Sequence, residues 1–158
     1  MTKSRILVVE DENIVALDLE KRLEKLGYDC VGIVATGESA VEKADELNPD
    51  LVLMDILLRG AKDGVEAGQE IRERFDIPII FLTAYCDTAT IERAKVSEPV
   101  GYILKPFEER ALKTAIELGL HRHDSDRKLR KMERWLATTL NSLGDAVIST
   151  DVDGCISY

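Results

Sequence analysis

Cys30, Cys86 and Cys155 are the whole thiol complement of the chain, and no two of them form a C-x-x-C pair. A disulfide framework needs an even set and a zinc site needs clustered ligands, so the cysteines are read as buried or incidental. Histidine is scarcer still, with only His121 and His123. Only 4 prolines and 10 glycines occur in 158 residues, which excludes fibrous and low-complexity classes. Long apolar runs are also missing. In MTKSRILVVEDEN, Lys3 and Arg5 precede only Ile6–Val9, too short for a signal peptide core, and no later stretch reaches the length of a membrane span. No membrane association is expected, and the location expected is cytoplasmic. Positive charge is in deficit, with 21 basic against 30 acidic side chains and a formal charge of -9. Such a surface repels phosphate backbones, so nucleic acid is not an expected partner. The basic stretch Arg127 to Lys131 is read as a solvated helix face rather than an RNA-binding patch, Trp135 being its only nearby aromatic.

What is present is alternation. Short, almost wholly apolar runs recur at 6–9 (ILVV), 31–35 (VGIVA), 51–54 (LVLM), 78–82 (PIIFL) and 102–104 (YIL). Strands apolar on both faces belong to parallel sheets covered on both sides. Between them, Val15, Leu19, Leu23 and Leu26, then Ala40, Ala44 and Leu47, then Ala67, Ile71 and Phe75 recur at helical spacing. Gly27 closes the first helix, Asn48-Pro49 ends the second, and Asp63 with Glu66 reads as a capping box opening the third. Five βα units end near residue 121, which predicts an α/β fold with an open, doubly wound sheet and right-handed crossovers.

Beyond His121, Leu129, Met132, Leu136, Leu140 and Leu143 follow at steps of three or four over a charged background. That spacing predicts one apolar seam on a helix continuous with the fifth, packing either on its own domain or on a second copy. The last stretch, GDAVISTDVDGCISY, reads as strand, turn at Asp151 to Gly154, strand. A lone hairpin is marginal in water, so the chain is expected to stop inside a second domain.

The run LVLMDILL places a charge, Asp55, inside what is otherwise buried strand, and a charge there needs partners. In doubly wound sheets the ligand crevice lies beyond the carboxyl ends of the strands. Those ends carry Glu10 and Asp11, Asp55, Thr83 and Lys105. Three crowded carboxylates call for a cation, and oxygen-only ligands suit a hard ion such as Mg²⁺ better than zinc. The chain has no Gly-rich phosphate loop and no Ser or Cys nucleophile beside a histidine.

The acidic pair in VVEDEN, the aspartate in LMDI, the Thr-Ala pair in FLTAY and the Lys-Pro pair in GYILKPFEE together resemble the receiver domain of two-component response regulators. The resemblance covers roughly residues 3 to 121. It implies a flavodoxin-like, five-stranded parallel sheet of order 2-1-3-4-5, and three parts: a receiver at 1–121, a connector helix at 122–143, and at 144–158 the start of a PAS-like domain. It further implies that Asp55 takes a phosphoryl group from a histidine kinase or phosphotransfer protein. Glu10, Asp11, Asp55 and the Leu57 carbonyl would hold Mg²⁺, Lys105 and Thr83 would contact phosphoryl oxygens, and Thr83 and Tyr102 would act as the switch. The chain would then be no enzyme beyond its own phosphorylation and dephosphorylation, any kinase domain lying outside it. A homodimer through the fourth-to-fifth helix face and the connector is an implied partner. Lys105-Pro106 is a candidate cis bond.

The sequence also departs from the family pattern. Where many receivers have a proline and then a Gly-x-Asp-Gly turn, ILLRGAKDG has Arg59 and one extra residue before Asp63-Gly64. Three other readings stand beside this one: a receiver-like module that binds partners without phosphorylation, a flavodoxin-like FMN protein, and a bland one in which Glu10 and Asp11 merely start a helix. The FMN reading is opposed by the negative charge of Glu10, Asp11 and Glu12 where a phosphate would sit.

Overall fold

The computed structural model describes residues 2–84, 88–143, 149–150 and 156–157, with side chains through residue 142. Cys86 and Cys155 and the turn at Asp151 to Gly154 lie outside the described residues. The chain divides into two units, Met1–His123 and Asp124–Tyr158.

The first unit holds β1 (Arg5–Val9), α1 (Asn13–Lys25), β2 (Asp29–Val34), α2 (Gly37–Leu47), β3 (Leu51–Asp55), α3 (Gly64–Phe75), β4 (Ile79–Thr83), α4 (Thr88–Lys95) and β5 (Gly101–Leu104). α5 (Glu109–Leu143) begins here and is one continuous helix, as the spacing predicts. All strand pairs are parallel and the order is β2-β1-β3-β4-β5, the expected flavodoxin-like arrangement. α4 is the helix that the periodicity does not reveal. Its sequence TATIERAK has no apolar seam, and Ala94 is its one buried residue.

The all-apolar strands are explained by two cores. A side chain in a strand points opposite to its neighbour. Leu7, Val9, Val52, Met54 and Phe81 therefore pack with Ala40, Ala44, Ala67 and Ile71 of α2 and α3 on one face. Ile6, Val8, Leu53, Ile80 and Leu82 meet Leu19, Leu23, Leu112 and Ile116 of α1 and α5 on the other. Each fully buried large side chain contributes about 1.5–3 kcal/mol, so a polar residue inside any of these strands would be costly. Polar groups are displaced to the strand ends, where the site lies.

The start of α3 is set by chemistry that the sequence displays. Asp63 accepts from the Glu66 amide at 2.9 Å and the Glu66 carboxylate accepts from the Asp63 amide at 3.1 Å, completing the predicted capping box. Gly64 follows, and its amide donates to the Ile56 carbonyl at 3.1 Å. A Cβ there would lie 1.9 Å from the Asp55 carbonyl oxygen, so only glycine lets α3 begin this close to the end of β3.

In the second unit the described residues are the distal part of α5 and an antiparallel pair, β6 (Ser149–Thr150) with β7 (Ile156–Ser157), in the register Ser149 to Ser157 and Thr150 to Ile156. Leu129, Met132, Leu136 and Leu140 are exposed along the helix, as is Trp135. No helix among the described residues is long and apolar enough to cross a membrane.

Replacing Gly64 with alanine forces α3 off the β3 carbonyl. The expected cost is about 1–3 kcal/mol in urea denaturation, a range typical of overpacking a closed contact.

Candidate functional site

The order of the strands reverses between β1 and β3, and adjacent carboxyl ends at such a point open a crevice. Glu10 and Asp11 leave β1 on one side of it and Asp55 ends β3 on the other. Glu10 and Asp55 are both buried, at 1% and 7% exposure. Lys105 follows β5, two strands from β3, with its amide donating to the Thr83 carbonyl at 2.7 Å and its bond to Pro106 cis, as expected.

The Lys105 side chain reaches back across β4 to the crevice. Its Nζ lies 2.5 Å from Glu10 Oε2 and 2.7 Å from Asp55 Oδ2. The second oxygen of Asp55 accepts from the Leu57 amide at 2.9 Å, and Glu10 Oε1 accepts from the Glu12 amide at 3.2 Å. These contacts answer why a charge sits within LVLMDILL: one ammonium serves two carboxylates, and backbone amides take the remaining oxygens. Burial pushes the Glu10 carboxyl above its usual range, the Lys105 hydrogen bond opposes that rise, and the Asp55 charge adds to it. Burial works against the Lys105 charge, but its hydrogen bonds to Asp55 and Glu10 outweigh this and hold the ammonium above its usual value.

Glu10, Asp11 and Asp55 each offer an oxygen, and these atoms lie within 4.8 Å of one another. Oxygen donors alone fit a hard divalent ion such as Mg²⁺ and not a thiolate- or imidazole-seeking metal. Glu10 and Asp11 precede α1 but neither caps it. The N-cap of α1 is Glu12, which makes no side-chain capping bond, and no acidic residue lies in the first turn. Thr83 is buried at the end of β4. Tyr102, on β5, is 37% exposed with its ring 6.0 Å from that of Phe81. The Leu57 side chain is exposed, and the contact its backbone makes is the amide hydrogen bond to Asp55.

Three contacts escape a reading by residue type. Arg59 Nε lies 3.2 Å from Asp11 Oδ2. Arg93 of α4 pairs with the capping Asp63 at 2.7 Å, and this partner with the Glu66 amide holds the Asp63 carboxyl below its usual range despite its partial burial. His123 is buried, with Nδ1 3.0 Å from Arg72 Nη1 of α3. Only Arg59 had a sequence signal, its place in the altered loop; the other pairs join residues 30 and 51 positions apart.

A doubly wound sheet with three carboxylates and a lysine at its switch point defines a class of α/β domain with an acidic crevice. The family model for the response regulator receiver domain matches residues 6–117, and the chain belongs to that family. It is 37% identical over 134 residues to the transcriptional regulatory protein PdtaR of Mycobacterium tuberculosis, an alignment that takes in 85% of this chain and 63% of that protein. The chain thus spans less than two thirds of the length of that relative. Among solved structures, the signal receiver domain of a modulated diguanylate cyclase from Desulfovibrio desulfuricans is 40% identical, with a TM-score of 0.76 over 79% of this chain and 99% of that one. The receiver domain of the sensor histidine kinase PA1611 from Pseudomonas aeruginosa, solved with a magnesium ion in its active-site cleft, is 32% identical, with a TM-score of 0.69 over 76% and 99%.

Removing the shared cation isolates its contribution. Lys105→Met leaves the buried Glu10 and Asp55 facing each other, at an expected cost of about 3 kcal/mol at neutral pH in chemical denaturation. A carboxyl raised in the folded state favours folding when protonated, so the stability deficit of the variant should shrink on acidification toward the ordinary carboxylate range and grow as pH rises through the raised value of Glu10.

Proposed function

We propose that Asp55 is the phosphoacceptor of a two-component signalling protein. The observation that supports it most is the single Lys105 ammonium bonded to both Asp55 and Glu10, with Asp11 in reach. Receiver domains interact with histidine kinases or phosphotransfer proteins, and such a partner is the proposed donor. An Asp55 oxygen attacks the phosphorus of a phosphohistidine in line, the P–N bond breaks, the imidazole leaves with the electron pair, and an acyl phosphate forms. Glu10, Asp11, Asp55 and the Leu57 carbonyl would hold Mg²⁺, whose charge offsets that developing on the phosphoryl oxygens. Lys105 exchanges a carboxylate oxygen for a phosphoryl oxygen, and the Thr83 hydroxyl donates to another.

The switch follows from the same contacts. A Thr83 side chain drawn toward the phosphoryl group vacates space beside Phe81 and β5, into which the half-exposed Tyr102 ring turns. The surface altered is that of α4, β5 and the start of α5, where Val96, Leu104 and Leu118 are exposed. Residues 122–143 would then serve as a connector and 144–158 as the beginning of a PAS-like output domain. The exposed Leu129, Met132, Leu136 and Leu140 seam gives a second copy a helical surface to pair with.

Incubation of the chain with Mg²⁺ and acetyl phosphate should add one phosphoryl group by intact mass, lost in Asp55→Asn. A folded wild type that stays unlabelled would favour a binding module that works without phosphorylation. For the dimer, sedimentation equilibrium should show self-association weakened at least tenfold by Leu136→Asp; a wild type monomeric at all concentrations, phosphorylated or not, rejects it.

A further inference from the structure

The loop between β3 and α3 carries a cation that the phosphotransfer chemistry leaves unused. The Arg59 side chain is 92% exposed, yet its Nε lies 3.2 Å from Asp11 Oδ2, on a carboxylate only 14% exposed. The loop is tied on its far side. The Glu38 carboxylate of α2 accepts from the Lys62 amide at 2.9 Å, and Gly60, at φ 134, turns close enough that a Cβ there would lie 3.3 Å from the same carboxylate. The Lys62 ammonium pairs with Glu70 of α3, and Asp63 closes the α3 capping box. With Lys62 and Asp63 held on α2 and α3, Arg59 lies just ahead of the anchored segment with its guanidinium at Asp11. The cations are divided accordingly: Lys105 serves Glu10 and Asp55, and Arg59 serves Asp11.

Resting on the reading of the acidic cluster as a Mg²⁺ site, we propose that Arg59 is a tethered competitor for Asp11 that sets the metal concentration at which the site loads. An ion pair with one partner in solvent is weak, so a divalent ion displaces it readily. The guanidinium then stays near a like charge, because the anchored loop limits how far the Arg59 backbone can withdraw. Two positive charges against one, about 6 Å apart in water and screened over a Debye length of roughly 8 Å at physiological salt, change affinity by about 3- to 10-fold. Arg59 thereby weakens metal binding without touching the attacking oxygen of Asp55.

The test is a MgCl₂ titration of the chain followed by amide chemical shifts, which reads metal occupancy without phosphotransfer. Arg59→Gln should bind Mg²⁺ about 3- to 10-fold more tightly than wild type at low ionic strength, with the gap closing to less than about twofold near 0.5 M salt. Arg59→Lys, which keeps the charge, should stay closer to wild type. Arg127→Gln, an exposed change of the same net charge in the distal part of α5, should leave the affinity unaltered. Equal affinity of Arg59→Gln and wild type at low salt, or equal tightening in Arg127→Gln, overturns the proposal while the metal site stands. Failure of folded wild type and Arg59→Gln alike to bind Mg²⁺ overturns the metal site itself, and the proposal with it.

Discussion

The contact on which the crevice depends is the Lys105 ammonium lying between Glu10 and Asp55. Without it, two buried carboxylates would face each other where the apolar runs of β1 and β3 stop, and either the acids would take up protons or the strand ends would separate. The lysine comes from β5 and its two partners from the ends of β1 and β3, so one side chain ties three strands at the edge where the core stops. Its own pairing is set by the backbone, since the Lys105 amide is bonded to the Thr83 carbonyl at the end of β4.

That arrangement explains why the site is polar only at its rim. Successive side chains in β1, β3 and β4 alternate between two fully packed faces, leaving no polar position until the strands end. Gly64 then lets α3 start against the Asp55 carbonyl, while Asp63 caps the same helix and takes Arg93 from α4. The segment after Asp55 is thus attached to α3 by its cap, to α2 through Glu38, and to α4 through an ion pair. Movement of α4 is therefore resisted by the same residue that fixes the start of α3.

Much of this was legible beforehand because it rests on local chemistry. Apolar runs announced the strands, Asp63 with Glu66 announced the α3 cap, and charged or hydroxyl residues at strand ends announced Glu10, Asp11, Asp55, Thr83 and Lys105. α4 was not legible, because a helix that buries only Ala94 needs no apolar stripe. The pairing of His123 with Arg72 was not legible either, since nothing in one sequence joins residues 51 apart. Arg59 could be flagged as a departure from the family pattern, but its partner could not be named, because Asp11 is 48 positions away and the path of the loop, held by the Lys62 amide on Glu38, is not visible in one sequence.

The distribution of charge gives the crevice a direction. Three carboxylates and two cations leave one formal negative charge before anything binds. A divalent ion would turn that into one positive charge, which attracts a phosphoryl donor. Conversion of Asp55 to an acyl phosphate, carrying roughly two negative charges near neutral pH, would return the cluster close to balance. On the proposed chemistry the unphosphorylated, metal-loaded crevice is the state out of balance, and phosphoryl transfer relieves it. Arg59 belongs to that balance even though it stands in solvent: without it the metal-loaded cluster would be formally neutral.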